Sequence, residues 1–211
     1  ISVEYDKDTS FRSFLNTITF GLFFKERITV YLFASDTNSR MKEVKYTLNG
    51  TEYTIAANGS ASMVSFYIDP QFIGNISGIK AIDNAGNESN EKATEYFAVD
   101  SKTPAAPTVY FGGKPTNVWI WEDMNITVSG CTVISGIAKY QYTTDGGETW
   151  IDMTTTEADE ATATTPYNAK KASLLLDYEV NAITFSFRAV SNAGNVGAAS
   201  PGKVVKIDKF K

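Results

Sequence analysis

The stretch DNAGNES at 83–89 returns as SNAGNVG at 191–197, and the match runs well beyond those loops. At an offset of 108, Ala85-Gly86-Asn87 faces Ala193-Gly194-Asn195. Upstream, Ile79-Lys80-Ala81-Ile82 lies against Phe187-Arg188-Ala189-Val190; downstream, Phe97, Val99 and Asp100 lie against Val205, Ile207 and Asp208. A second block, VKYTLNGTEY at 44–53, faces YQYTTDGGETW at 140–150 at an offset of 96, with one extra residue. Two blocks in the same order in both halves mean that one supersecondary unit occurs twice, so the 211 residues must build two similar modules. The division falls at DSKTPAAPT (100–108), where two prolines and small residues favour an extended, poorly packed linker. The expected domains are 1–101 and 102–211, arranged end to end because Pro104 and Pro107 bias the junction toward extension.

Within each copy the apolar residues recur with a period of two. Ile28, Val30, Leu32 and Ala34 form one such run, Val44, Tyr46 and Leu48 another, and Ile183, Phe185, Phe187 and Ala189 a third. That period puts one strand face in a core and the other in water. Asn49-Gly50 and Asp145-Gly146 fall between such runs, and both dipeptides suit the positive φ angles of tight hairpins. No stretch of ten residues has a helical pattern, although NAKKASLLLDYEV (168–180) has room for one short helical turn. Short strands at spacings of about ten residues predict an all-β chain of two tandem immunoglobulin-like β-sandwiches.

Composition removes several kinds of chemistry. Histidine is absent, which excludes Ser-His-Asp and Cys-His catalysis and the HExxH zinc motif. Cys131 is alone, so it forms neither an intrachain disulfide nor a cysteine metal cluster, and it reads as a small apolar core residue. The net charge is -5 and no basic run occurs, which argues against a nucleic-acid partner. The longest apolar stretch, ITFGLFF at 18–24, is far shorter than the ~18 residues of a membrane span, so membrane insertion is not expected. A start at Ile1 suggests a mature or excised fragment, and the register of Ile207-Asp208-Lys209 suggests a third module after Lys211.

The order SGIAKYQYTTDGGETW followed by FSFRAVSNAGNVG, with EVKYTLNG and IKAIDNAGNES in the first copy, resembles the bacterial immunoglobulin-like, fibronectin-III-like modules of Gram-positive surface proteins. The first copy departs at SDTNSRM (35–41), where the second keeps Ser-Gly in VISGI (133–137). The resemblance implies a non-catalytic extracellular module, wall-attached or secreted, acting as a spacer with an adhesion role. Its alternative is a carbohydrate- or protein-binding accessory domain of a secreted surface enzyme. It implies no cofactor, and as partner a host or cell-surface glycan or protein, contacted by a monomeric fragment of a longer chain.

Two groups of residues invite a functional reading. Asp36, Asp83, Asn84, Asn87 and Glu88 offer hard oxygen ligands of the kind calcium takes. The same residue types also collect in turns, because Asn and Asp tolerate left-handed backbone and bond their own main chain. The second copy replaces Asp83 by Ser191 and Glu88 by Val196 yet keeps Asn192, Gly194 and Asn195. A ligand set would lose its charge by those changes and a turn would not, so the turn is the expectation. Trp119 and Trp121 in NVWIWED stand two positions apart, on one face of a strand. Exposed, they would make a platform for a sugar ring or a partner surface; buried, they would fill a core. Trp150, after the DGGET turn, is the third candidate contact. Paired acidic residues at glycosidase spacing always exist among 24 carboxylates, and no motif marks a pair here.

Overall fold

Strands with one apolar face need a second sheet to cover it, and each repeat supplies its own. The computed structural model describes residues 2–5, as backbone, and 22–209. It divides after Ser101 into two units, the short segment 162–165 aside. The chain is all-β, with no helix among the described residues.

The first unit runs β1 (Ser2–Tyr5), β2 (Phe23–Phe24), β3 (Ile28–Ser35), β4 (Met41–Leu48), β5 (Thr51–Gly59), β6 (Ala61–Ile68), β7 (Phe72–Gly74), β8 (Ile76–Asp83) and β9 (Phe97–Val99). One sheet has the order β1-β3-β6 and the facing one β5-β4-β8, while β9 lies between β2 and β7. The period-two residues Ile28, Val30, Leu32 and Ala34 all point inward, against Val44, Ile76, Ile79 and Val99. Phe24 and Phe72 close that core around Phe97, with Phe24 edge-on to it at 6.2 Å.

The second unit runs β10 (Thr108–Tyr110), β11 (Trp119–Ile120), β12 (Met124–Ser129), β13 (Ile137–Thr143), β14 (Ile151–Asp152), β15 (Thr154–Asp159), β16 (Asn168–Leu176), β17 (Val180–Ser191) and β18 (Lys203–Ile207). Its sheets have the orders β10-β12-β16-β15 and β11-β18-β17-β13-β14. Phe185, Phe187, Ile126, Val128, Tyr140, Leu176 and Ile207 fill the space between them. Each unit is thus a β-sandwich of the immunoglobulin and fibronectin type, as the alternation predicts.

The two offsets of the repeat find their structural meaning in the ladders. Ile28 opposes Ile68 as Met124 opposes Leu176, and the parallel pair Phe24 with Val99 matches Ile120 with Ile207. The difference between the offsets is taken up between β13 and β16. In the first unit β5 stays beside β4 throughout. In the second, β14 pairs briefly with β13, and β15 then crosses to pair with β16 on the opposite sheet.

Three expectations need correction. The segment 168–180 makes no helical turn, because Asn168–Leu176 is a strand hydrogen-bonded on both sides, to β12 and β15, and those ladders outweigh its Ala and Leu content. Residues 104–107 are not poorly packed: Pro104 and Pro107 are buried, the Ala198 amide donates to the Pro104 carbonyl at 3.2 Å, and the Cys131 thiol donates to the Ala105 carbonyl at 3.2 Å. The Asn49-Gly50 pair does form a two-residue hairpin, with φ of 49° and 78° and Leu48 opposite Thr51. Asp145-Gly146 instead belongs to a wider loop closed by Tyr142 opposite Ile151, with Gly146 and Gly147 at positive φ.

Cys131 is buried in the second core, as expected. Of the apolar stretch 18–24, residues 18–21 lie outside the described residues, as do Ile1 and Lys211. No helix among the described residues is long and apolar enough to cross a membrane.

Candidate functional site

The DNAGNES stretch reverses the chain after β8. The Gly86 amide donates to the Asp83 carbonyl at 3.2 Å, Gly86 takes φ of 88°, and Ile82 then bridges Glu88. Asp83 organises this turn through its carboxylate: Oδ1 accepts the Asn87 amide at 2.7 Å and Oδ2 accepts the Asn87 side chain at 2.8 Å. The Ser39 hydroxyl lies 2.6 Å from Asp83 Oδ2 and 2.8 Å from Asp36 Oδ2, so its single hydrogen is shared between two carboxylates. In the second unit the Ser191 hydroxyl accepts the Asn195 amide at 3.0 Å, performing the same task without charge. Glu88 pairs with Lys80 at 3.4 Å. Both Asp83 oxygens, Asp36 Oδ2 and the Glu88 carboxylate are therefore engaged by local donors, and among the described residues no three acidic, His or Cys side chains group as a metal site.

Those donors have a measurable consequence. Hydrogen bonds from Ser39 and then Asn87 pull the Asp83 carboxyl down to about 2, from an ordinary 3.8. Because the folded-state value lies below the unfolded one, the ionised group stabilises the turn above about pH 4, and that contribution is lost as pH falls toward 2. Asp83→Ser, which copies the second unit, should keep the turn and flatten this acid limb. Amide NMR signals of residues 83–89, followed between pH 5 and pH 2, check it: parallel curves for wild type and variant would remove Asp83 as the cause.

Trp150 is held inside its own loop. Asp145 accepts the Thr143 hydroxyl at 2.6 Å and the Thr149 amide at 3.0 Å, which holds its carboxyl well below the usual range. The loop then closes on the indole, whose Nε1–H donates to the Gly147 carbonyl at 3.1 Å. One ring face carries the Arg188 guanidinium at 4.0 Å, a cation–π stack. Arg188 in turn donates to Gln141 at 2.9 Å, and Gln141 to Asp152 at 2.7 Å. Trp150 is half-buried and anchors the loop to the sheet.

Trp119 and Trp121 are placed differently. Ile120 turns into the core and pairs with Ile207, so its neighbours face outward, 55% and 66% exposed. Val118 is exposed as well, and so, beyond the end of β16, is Tyr178. Near the pair, Lys114 forms an ion pair with Glu122 and Lys209 with Asp123. Trp119 opposes Lys206, at the Val180 end of β17, whereas Trp150 stacks on Arg188 toward the Ser191 end. The structure therefore brings Trp119 and Trp121 together and sets Trp150 apart.

No family model matches the chain, and no curated protein does. A solved structure to which the chain is similar is that of the fibronectin(III)-like modules of CbhA from Clostridium thermocellum, at 14% identity and a TM-score of 0.37, over 98% of this chain and 94% of that one. Within the chain itself the comparison is sharper. The ladder that places Trp119 beside Lys206 places Phe23 beside Ala98, so the first unit has Phe23 and Lys25 where the second has Trp119 and Trp121. The fold is built without either indole in one copy and with both in the other. That internal contrast is the signal that separates surface from core at these positions, and period-two spacing alone does not contain it.

Proposed function

We propose that the chain is a non-catalytic pair of modules from an extracellular bacterial protein of the Gram-positive surface type, a spacer whose second module makes an adhesive contact through Trp119 and Trp121. The observation that carries this reading is the exposure of two neighbouring indoles where the equivalent strand of the first unit carries Phe23 and Lys25. Large aromatic rings exposed to water supply wide, stiff contact area to a partner. Two ion pairs, Lys114–Glu122 and Lys209–Asp123, flank the rings, and the ligand that suits exposed indoles is a neutral glycan, whose sugar faces stack on them. Such a module would serve equally as an accessory to a catalytic domain elsewhere in a longer protein.

Sedimentation of the protein with insoluble neutral polysaccharides, together with a soluble glycan panel, tests the contact. The double variant Trp119→Ala/Trp121→Ala should lose at least about tenfold in affinity while its melting temperature stays within a few degrees of wild type, since both side chains lie outside the core. Equal binding by the variant would place the contact elsewhere. Silence across the whole panel would leave the spacer reading without a glycan partner.

A further inference from the structure

The two units differ in what covers one sheet edge. In the second, β16 has β12 on one side and β15 on the other. In the first, β6 pairs with β3 only, because β5 stays on the facing sheet, and among the described residues no strand lies along its other side. An edge of this kind presents a row of backbone donors and acceptors, and natural sheets usually blunt it with charges, prolines or bulges. The β15 edge has such protection: Glu157, Asp159 and two breaks in register. The β6 strand, ASMVSFYI, has no charge and no proline, and its register with β3 is unbroken from Ile28–Ile68 to Ser35–Ala61.

We propose that the open edge of β6 pairs antiparallel with β6 of a second copy of this chain, about a two-fold axis at Ser65. An edge that joins its own copy must be self-complementary. Opposed residues in an antiparallel pair lie on the same face, so the axis must pass through a residue, and Ser65 is the choice that matches the side chains. It sets Met63 against Tyr67 of the other copy on the outer face, and Val64 against Phe66 on the inner one. Met63 and Tyr67 are 58% and 64% exposed in the single chain, and a thioether against an aromatic ring is a favourable cross-strand contact. The apolar row would extend from Phe33, which opposes Met63, across the axis. No like charges meet, since β6 has none. Among the described residues β6 is the one edge strand of more than three residues without a charge, so pairing closes at the dimer and does not propagate. A strand pair covers less than the ~1,200 Å² of a standard interface, so the association is weak, with a dissociation constant in the range of about 10–100 µM.

Sedimentation velocity on the 211-residue chain from about 5 µM to 1 mM tests this directly. A monomer–dimer equilibrium is expected, and Ser65→Lys, which puts two ammonium groups face to face at the axis, should raise the dissociation constant at least about tenfold while the circular dichroism melt stays that of wild type. Register is read separately by oxidation in a Cys131→Ala background: Ser65→Cys should cross-link as a homodimer, Met63→Cys should not, and Met63→Cys mixed with Tyr67→Cys should form the heterodimer. A monomer at every concentration overturns the proposal. So does a dimer indifferent to Ser65→Lys, a cross-link by Met63→Cys alone, or growth beyond the dimer.

Discussion

Gly136→Ala should destabilise the second unit by about 3 kcal/mol or more, the largest effect expected of a single methyl in this protein. Gly136 has φ of 74°, and a Cβ there would drive into the Tyr167 carbonyl oxygen while standing 3.0 Å from Asn192 Nδ2. Backbone conformation alone does not account for that penalty. The equivalent residue of the first unit is Arg40, which occupies the same region at φ of 64° and makes the same bond, its carbonyl accepting the Asn84 amide at 3.0 Å as Gly136 accepts that of Asn192 at 3.0 Å. A side chain at this φ costs roughly 1 kcal/mol, which the first unit bears. In the second unit the excess comes from the Tyr167 main chain, which is part of a loop and cannot withdraw without breaking the contacts of Asn192. Two further variants divide the terms. Arg40→Gly should gain up to about 1 kcal/mol in the first unit by relieving the φ strain, whereas Gly86→Ala, with nothing within 4 Å of the added carbon, should cost no more than about 1–2 kcal/mol. Denaturation followed by tryptophan fluorescence isolates the second unit, because Trp119, Trp121 and Trp150 all lie there. If Gly136→Ala and Gly86→Ala cost their units the same, sterics at Tyr167 are not the cause.

This comparison also shows why parts of the molecule were legible in the sequence and others were not. The repeat and the period-two runs are one-dimensional patterns, and they translate directly into paired sandwiches with Ile28, Val30, Leu32 and Ala34 inside. The loop at 35–41 departs from 133–137 in sequence, yet Arg40 and Gly136 share a conformation. Backbone geometry there is set by contacts of Asn84 and Asn192, in the turns after β8 and β17, which lie far off in sequence. The strand at 168–176 was hidden for a related reason: its identity depends on pairing with β12, some forty residues earlier in the chain, as well as with β15 just before it. For the candidate contact, spacing alone placed Trp119 and Trp121 on one face. Which face met water was decided by Ile120 pairing with Ile207, a register that no local pattern specifies.

Asn192→Ala should cost the second unit about 2–4 kcal/mol, second only to Gly136→Ala. Asn192 is 5% exposed, and its side-chain amide donates to the Ser135 carbonyl at 2.7 Å and to the Tyr167 carbonyl at 2.5 Å. Those two bonds tie the turn after β17 to the loop before β13 and to the start of β16. Truncation removes the donor from both carbonyls in a region where water has little access, and each buried acceptor deprived of its donor costs about 1–3 kcal/mol. The first unit supplies the control. Asn84 reaches the Ser39 and Arg40 carbonyls at 2.9 and 3.2 Å in the same topological position, but it is exposed, so water can replace the lost amide. Asn84→Ala should therefore cost about 1 kcal/mol or less, from the same chemistry at the same place in the fold. Asn192→Asp should be worse than Asn192→Ala at neutral pH, because it sets a carboxylate against two carbonyl oxygens, and should recover part of the loss at pH 4 as the acid becomes a donor. Urea denaturation of the three variants gives the ordering, with tryptophan fluorescence reading the second unit and the far-ultraviolet circular dichroism transition that fluorescence does not follow reading the first; an Asn84→Ala loss as large as that of Asn192→Ala would show that burial does not set the strength of this tie.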